Sequence, residues 1–283
     1  MPELPEVETV RRGLASRLQS FVIHDVDVLR DRAVASPGGP HALCLGLQGQ
    51  KVGHWSRRGK YLMAQLHEPQ TGTCNGVWGV HLRMTGQFQW HPTQTDPCRH
   101  TRVRLWNEQG HELRFVDMRS FGEMWFVPQN VPIDSVITGL QRLGPEPFSE
   151  EFNATYLQQK LRGSTRTIKA ALLDQAVVAG AGNIYADESL FASGIAPHRK
   201  AGELRLAELE RLCISLVHVL EISIGAGGTT FRDFRDLEGV NGNYGGQASV
   251  YRRTGQPCLV CGNPIERKRL GGRSSHWCSE CQS

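Results

Sequence analysis

Leu4, Val7, Val10 or Arg11, Leu14 and Leu18 recur three to four residues apart, which predicts a helix starting almost at the first residue. From residue 21 to 127 the period changes to that of strands. Val22, Val26 and Val28 mark one strand, and Lys60 to Leu66 alternates. Residues 77–90 form an extended stretch interrupted at Thr85-Gly86. Val103 and Leu105 alternate with Arg102, Arg104 and Trp106. Asn107 to Gly110 then turns the chain, and residues 112–116 return as the second arm of a hairpin. Short strands at this spacing predict a β-sandwich. Residues 128–149 carry four prolines and read as a boundary. Helical patterns follow: one opened by Ser149 or Asn153, then 167–175, 183–192 and 203–224, before a glycine-rich loop over 225–246. The expected division is a domain at 1–130, a hinge at 131–148, a helical domain at 149–246 and a small domain at 247–283.

The small domain has the most specific pattern. Cys258-x-x-Cys261, sixteen intervening residues and Cys278-x-x-Cys281 have the spacing of a four-cysteine zinc ribbon. The intervening residues fit two strands with Leu270 to Arg273 at the tip. Four thiolates close a tetrahedron, so the expected Zn2+ is structural and single. Two disulfides are the alternative pairing, and His276 the alternative ligand. The formal net charge is +4. Residues 241–283 hold six basic and two acidic residues, so the whole excess lies there and suits a polyanion such as DNA. A solvated basic tail would look the same. No apolar run approaches the roughly 20 residues of a membrane span, and no signal peptide is evident. These features predict a cytoplasmic protein without a membrane partner, and Cys44, Cys74, Cys98 and Cys213 as reduced thiols.

The first residues carry candidate chemistry. Met1 precedes a small residue, Pro2, and removal of Met1 would leave a secondary amine at the positive end of a helix, which favours its neutral form. Such an amine attacks a sugar's anomeric carbon and leaves a cationic iminium, an electron sink for eliminations along the sugar. Glu3 is near enough to move protons. Taken alone, Pro2 and Glu3 do no more than start a helix.

MPELPEVET resembles the opening of the formamidopyrimidine-DNA glycosylase family of bacterial-type base-excision repair enzymes. Leu4 and Val7-Glu8-Thr9 differ from the related endonuclease VIII group, where glycine usually occupies the position of Leu4. Further matches extend the resemblance over nearly the whole chain. It implies an α+β fold: an antiparallel β-sandwich flanked by helices, then a helical domain with a helix–two-turns–helix element and a zinc-ribbon β-hairpin.

The resemblance also implies roles. Pro2 is the nucleophile, Glu3 a proton donor, and Glu6 a carboxylate near the lesion. Lys60, in Arg57-Arg58-Gly59-Lys60, resembles a phosphate contact and proton donor for the first elimination. Met84, in His81 to Gly86, resembles a void-filling methionine, although Arg83 stands where the family usually has glycine. Asp117 to Gly122 resembles a second DNA-reading loop, in which Arg119 faces the estranged cytosine and Phe121 wedges into the stack. Met118 and Ser120 replace a proline and a basic residue, which predicts a looser loop with one phosphate contact fewer. His100, Arg166, Lys169 and Asn183 are expected DNA contacts. Without the flanking match, Gly180 and Gly182 beside Asn183 would read as packing glycines. Arg273, at the hairpin tip, resembles the arginine that binds the damaged nucleotide's phosphate and serves the second elimination. The glycine-rich stretch from Gly227 to Tyr251 resembles the region that caps the extruded base.

The resulting expectation is a monomeric, bifunctional DNA glycosylase and lyase for oxidised purines, acting on damaged double-stranded DNA and needing no nucleotide cofactor or catalytic metal. The lesions implied are 8-oxoguanine opposite cytosine and ring-opened formamidopyrimidines. The alternatives are an endonuclease VIII-like enzyme for oxidised pyrimidines and a non-catalytic, zinc-dependent DNA-binding protein. The expected location is the bacterial cytoplasm, in association with the nucleoid, with an organelle as the alternative.

Overall fold

A computed structural model describes residues 1–229, 237 and 239–283. The chain forms two compact units, one of residues 1–141 with 227–242, the other of 142–226 with 243–283.

The first unit opens with α1 (Leu4–Arg17), whose apolar stripe of Leu4, Val7, Val10 and Leu14 is buried, as is Leu18 beyond it. Each such side chain stabilises the fold by about 1.5–3 kcal/mol. Strand β1 (Asp25–Val28) and α2 (Gly39–Leu47) follow. Then come β2 (Lys51–Arg58), β3 (Tyr61–His67), β4 (Cys74–His81) and β5 (Gly86–His91). Next are β6 (Thr101–Trp106), β7 (Glu112–Asp117), β8 (Glu123–Pro128) and the short α3 (Ile133–Val136). The strands make two four-stranded antiparallel sheets, ordered β1-β6-β7-β5 and β2-β3-β4-β8. The expected sandwich is therefore present.

A run of aromatic rings crosses its core: Trp55 meets Trp78 at 5.4 Å, Trp78 meets Phe88 at 5.8 Å, and Phe88 meets Phe115 at 5.4 Å. The first two rings belong to one sheet and the last two to the other. Helix α2 was not anticipated. Its start at Pro37-Gly38-Gly39-Pro40 reads as a turn, and only Leu43 and Leu47 of its nine residues are buried.

The second unit contains α4 (Ala154–Leu161), α5 (Ile168–Leu173), α6 (Asn183–Ala192) and α7 (Leu206–Gly225), then β9 (Glu266–Leu270) and β10 (Arg273–Trp277). Asn153 caps α4 through the Tyr156 N–H at 2.9 Å, which settles the choice against Ser149. Thr167 caps α5 through the Ala170 N–H at 3.2 Å. Leu157, Leu172, Tyr185, Leu212 and Leu216 are among its fully buried side chains. Strands β9 and β10 pair antiparallel as the expected hairpin. Among the described residues, no helix is long and apolar enough to cross a membrane.

Strand β7 is buried along its whole length. One face supplies Leu113 and Phe115 to the core. On the other, the Glu112 carboxylate receives Arg114 at 2.7 Å and Arg104 at 2.6 Å. Burial alone would raise its pKa, but the two guanidiniums prevail and hold it at about 2. A folded-state value below the unfolded one means that this stabilisation is complete above about pH 4.5 and is lost as pH falls toward 2. Glu112→Gln is expected to cost about 3 kcal/mol at pH 7 and to flatten the acid limb of a urea-midpoint-against-pH curve.

Candidate active site

In the first unit the N-terminal residues are built into the cap of α1. Pro2 is buried and Glu3 is 3% exposed. The Glu3 N–H donates to Glu6 Oε2 at 2.8 Å, and the Glu3 side chain meets the Glu6 N–H in return, a reciprocal capping box. The other oxygen of Glu6, Oε1, accepts the Thr229 N–H at 2.8 Å. Glu6 therefore joins the start of the chain to the Gly228-Thr229 segment. Gly228 has φ +80°, and a Cβ there would lie 3.0 Å from Glu6 Oε1, so both conformation and space require glycine. Residues 230–236 and 238 of the expected capping stretch lie outside the described residues.

Lys60 sits at the turn between β2 and β3, 8% exposed. Arg57 Nη1 closes this turn on the Gly59 carbonyl at 2.9 Å, while Arg57 Nε reaches Glu8 at 3.4 Å. Glu8 also receives Arg11 and Arg12, each at 2.9 Å. Burial opposes its charge, but these guanidiniums hold its pKa below the usual carboxylate range. His81 nearby is kept neutral: burial first, then the charges of Arg83 and Lys60, lower its pKa to about 3.

That neutral ring accepts the Arg83 N–H on Nδ1 at 3.0 Å. Arg83 has φ +54°, the left-handed conformation that its glycine counterpart would adopt without strain. Two bonds to Glu123, at 2.6 and 2.9 Å, compensate by tying the guanidinium to the start of β8. Met84 follows, half-buried.

The loop over residues 117–122 is organised by Asp117, which is fully buried. Its Oδ1 accepts the Arg119 N–H at 3.1 Å and the Thr85 hydroxyl; its Oδ2 accepts Phe121 N–H at 2.8 Å and Gly122 N–H at 2.7 Å. The hydrogen bonds that hold this backbone come from Asp117 and Thr85, and neither the Met118 nor the Ser120 side chain, expected to loosen the loop, takes part in them. Ser120 adopts φ +54°. Arg119 stacks over Phe121 at 4.7 Å, and Arg32 lies over the same ring at 5.5 Å. The His100 carbonyl accepts the Asp117 N–H at 2.9 Å, and its ring touches Arg99 and Arg102.

In the second unit, Gln175 fastens the turn before α6, donating to the Ala181 carbonyl at 2.9 Å and accepting the Gly180 N–H at 2.9 Å. Asn183 begins the helix, and its Nδ2 donates to the Ser274 carbonyl at 3.1 Å. Its Oδ1 is buried and has no hydrogen-bond partner among the described residues. Lys169 is 1% exposed, with its ammonium 2.7 Å from Asp187 and 2.6 Å from the Ser274 carbonyl. The sequence gives no sign of this burial. Arg166 is half-exposed and paired with Asp174 at 2.8 Å. Arg273 is exposed at the hairpin tip.

All eight cysteines are free, which excludes the disulfide alternative. The Sγ atoms of Cys258, Cys261, Cys278 and Cys281 lie within 4.8 Å of one another, with pairs at 3.9 and 3.4 Å. A tetrahedron of Zn–S bonds near 2.3 Å has edges of about 3.8 Å, so the donor set fits one structural zinc. His276 is not a fifth candidate, since its Nδ1 lies 3.0 Å from Asp187. Two buried acids of α6, Asp187 and Glu188, escaped the sequence reading. Glu188 accepts the N–H groups of Ser249, Val250 and Tyr251 at 2.7–2.9 Å. Only their position in a helix otherwise lined by apolar neighbours hints at burial.

Sandwich, helix–two-turns–helix and zinc hairpin together define a DNA-repair glycosylase architecture. The model of the "Formamidopyrimidine-DNA glycosylase N-terminal domain" matches residues 1–124, that of its H2TH domain 143–235, and that of the "Zinc finger found in FPG and IleRS" 255–283. The formamidopyrimidine-DNA glycosylase of Parasynechococcus marenigrum is 67% identical over 282 residues, covering 100% of both chains, and that of Prochlorococcus marinus strain MIT 9313 is 62% identical with the same coverage. Among solved structures, a Lactococcus lactis Fpg mutant bound to Fapy-dG-containing DNA superposes with a TM-score of 0.90 at 32% identity over 100% of each chain. The L. lactis Fpg complex with abasic-site DNA gives 0.89 at 32% identity over 99% of each. The chain belongs to the formamidopyrimidine-DNA glycosylase family.

Asp117→Ala is expected to raise amide exchange at residues 119, 121 and 122 by about 100-fold, as several buried bonds are lost at once, measured by exchange mass spectrometry. Cys261→Ser is expected to lose the single bound zinc, read by metal analysis, and with it the protection of the 266–277 hairpin.

Proposed function

We propose that this chain excises oxidised purines from duplex DNA and then cuts the strand, with Pro2 as the nucleophile. The observation that carries this reading is the capping box that seats Pro2 and Glu3 at the positive end of α1, tied by Glu6 to Thr229. The target base is extruded from the stack. Once Met1 has been removed, the Pro2 nitrogen bonds to C1′, Glu3 gives a proton to the opening sugar, and the base departs. Proline nitrogen has no further proton to lose, so the adduct is an iminium. The iminium acidifies the C2′ hydrogen, and its loss breaks the C3′–O bond. The conjugated product then acidifies the C4′ hydrogen, and its loss breaks the C5′–O bond. Lys60 assists the first elimination and Arg273 the second; water finally releases the sugar fragment from Pro2.

Met84, Arg119 and Phe121 fill the space left by the extruded nucleotide. The Phe121 ring is already 39% exposed and flanked by two guanidiniums, an arrangement suited to insertion between bases. His100, Arg166, Lys169 and Asn183 serve the DNA backbone. For Lys169 and Asn183 that service runs at least partly through the Ser274 carbonyl they share. The zinc holds the hairpin and takes no part in bond breaking. The enzyme acts as a monomer without a nucleotide cofactor, and its site of action is the bacterial cytoplasm.

Borohydride reduction on duplex DNA with 8-oxoguanine opposite cytosine is expected to give a covalent protein–DNA band. Retaining Met1 should abolish it. Pro2→Gly, which puts a primary amine in place of the secondary one, should lower trapping by roughly 10–100-fold. Binding without any crosslink or nick in the processed wild type would refute the enzyme reading.

A further inference from the structure

The mechanism above leaves a buried acid unused. Asp187 lies in α6, 0% exposed. Its Oδ1 is 2.7 Å from Lys169 Nζ, and its Oδ2 accepts the backbone N–H of His276 at 3.0 Å and lies 3.0 Å from His276 Nδ1. Lys169 Nζ, so oriented, donates to the Ser274 carbonyl at 2.6 Å, which Asn183 also holds at 3.1 Å. Two backbone groups of β10, at positions 274 and 276, are thus gripped by side chains of α5 and α6. Arg273 is the next residue toward the tip.

On the other side of the tip the support is weaker. Gly271 and Gly272 have φ of +53° and +80°, and residues 266–269 of β9 are exposed. The direction of Arg273 therefore depends on the grip upon β10, which Asp187 makes directly at His276 and through Lys169 at Ser274, beside the separate hold of Asn183 on the same carbonyl. Without Asp187, Lys169 would lose the carboxylate that lies 2.7 Å from its ammonium, and the His276 N–H would lose the acceptor at 3.0 Å.

We propose that Asp187 is a positioning residue for the second elimination, acting through Lys169 and the backbone of β10 on Arg273. This rests on the reading that Arg273 stabilises the phosphate leaving C5′. Misplacing a catalytic group by about 1 Å costs on the order of 100-fold, so the effect should fall on that step and spare base excision.

The test uses full-length, zinc-loaded, Met1-processed protein on 5′-labelled DNA with 8-oxoguanine opposite cytosine, in single turnover. Asp187→Asn is the first variant. The Asp187→Asn/Lys169→Met double variant removes both charges of the buried pair together, so that neither is left without the other. Both are expected to accumulate the product of the first elimination, with the ratio of second to first product at least ~10-fold below wild type. Base excision by Asp187→Asn should stay within about threefold of wild type, and amide exchange at 274–276 should rise.

An unchanged product ratio despite faster exchange would overturn the proposal. So would a parallel fall in excision and both eliminations, or loss of zinc in both variants, which would assign Asp187 to folding alone. Arg273→Ala, run beside them, separates the two levels: if it leaves the ratio unaltered, the reading of Arg273 fails and the proposal with it.

Discussion

A carboxylate buried without partners costs several kcal/mol or takes up a proton. Glu6 is 1% exposed, and its two oxygens are spent on two backbone N–H groups, one at the first turn of α1 and one more than two hundred residues later. The position of Pro2 follows from that constraint. The amine proposed as the nucleophile belongs to a terminus, and chain termini fray unless tied down. Here the tie is the capping box, made rigid because neither oxygen of Glu6 can be released cheaply.

The same device, a buried carboxylate accepting backbone N–H groups, recurs at three further places. Asp117 gathers the N–H groups of the loop bearing Arg119 and Phe121. Glu188 gathers those of 249–251. Asp187 holds the strand behind Arg273. Sheets and helices satisfy their own backbone groups. Loops cannot, so a buried acceptor has to be supplied from outside. Burial raises the pKa of Glu188, and its three N–H donors oppose that shift.

Much of this was legible in the sequence. The stripe from Leu4 to Leu18, the hairpin around Asn107 to Gly110, the helix at 183–192 and the zinc ligands follow from period and spacing, which are local. The candidate residues Pro2, Glu3, Lys60 and Arg273 were legible only through resemblance to a family. What was not legible is long-range. Lys169 looks like any surface lysine until Asp187 is brought beside it by the packing of α5 on α6. Helix α2 is hidden because it buries two residues and begins among prolines and glycines. Arg83 is instructive in the opposite way. The sequence shows a residue where glycine is expected, and the cost is visible, but the compensation through Glu123 comes from strand pairing between His81 and Glu123.

The Asp117 loop has one more consequence. Its backbone is held by a side chain at its root, with Thr85 as a second brace, and position 120 contributes only a left-handed backbone conformation. The framework and the reading surface are thereby uncoupled. The side chain at 118 is free to drift, and 120 can trade basic for small polar side chains within its left-handed backbone, which bars proline there, while Phe121 and Arg119 keep their places. Such a loop tolerates mutation at its tip and is brittle at its base, so divergence within it should be graded, with latitude increasing away from the buried acid.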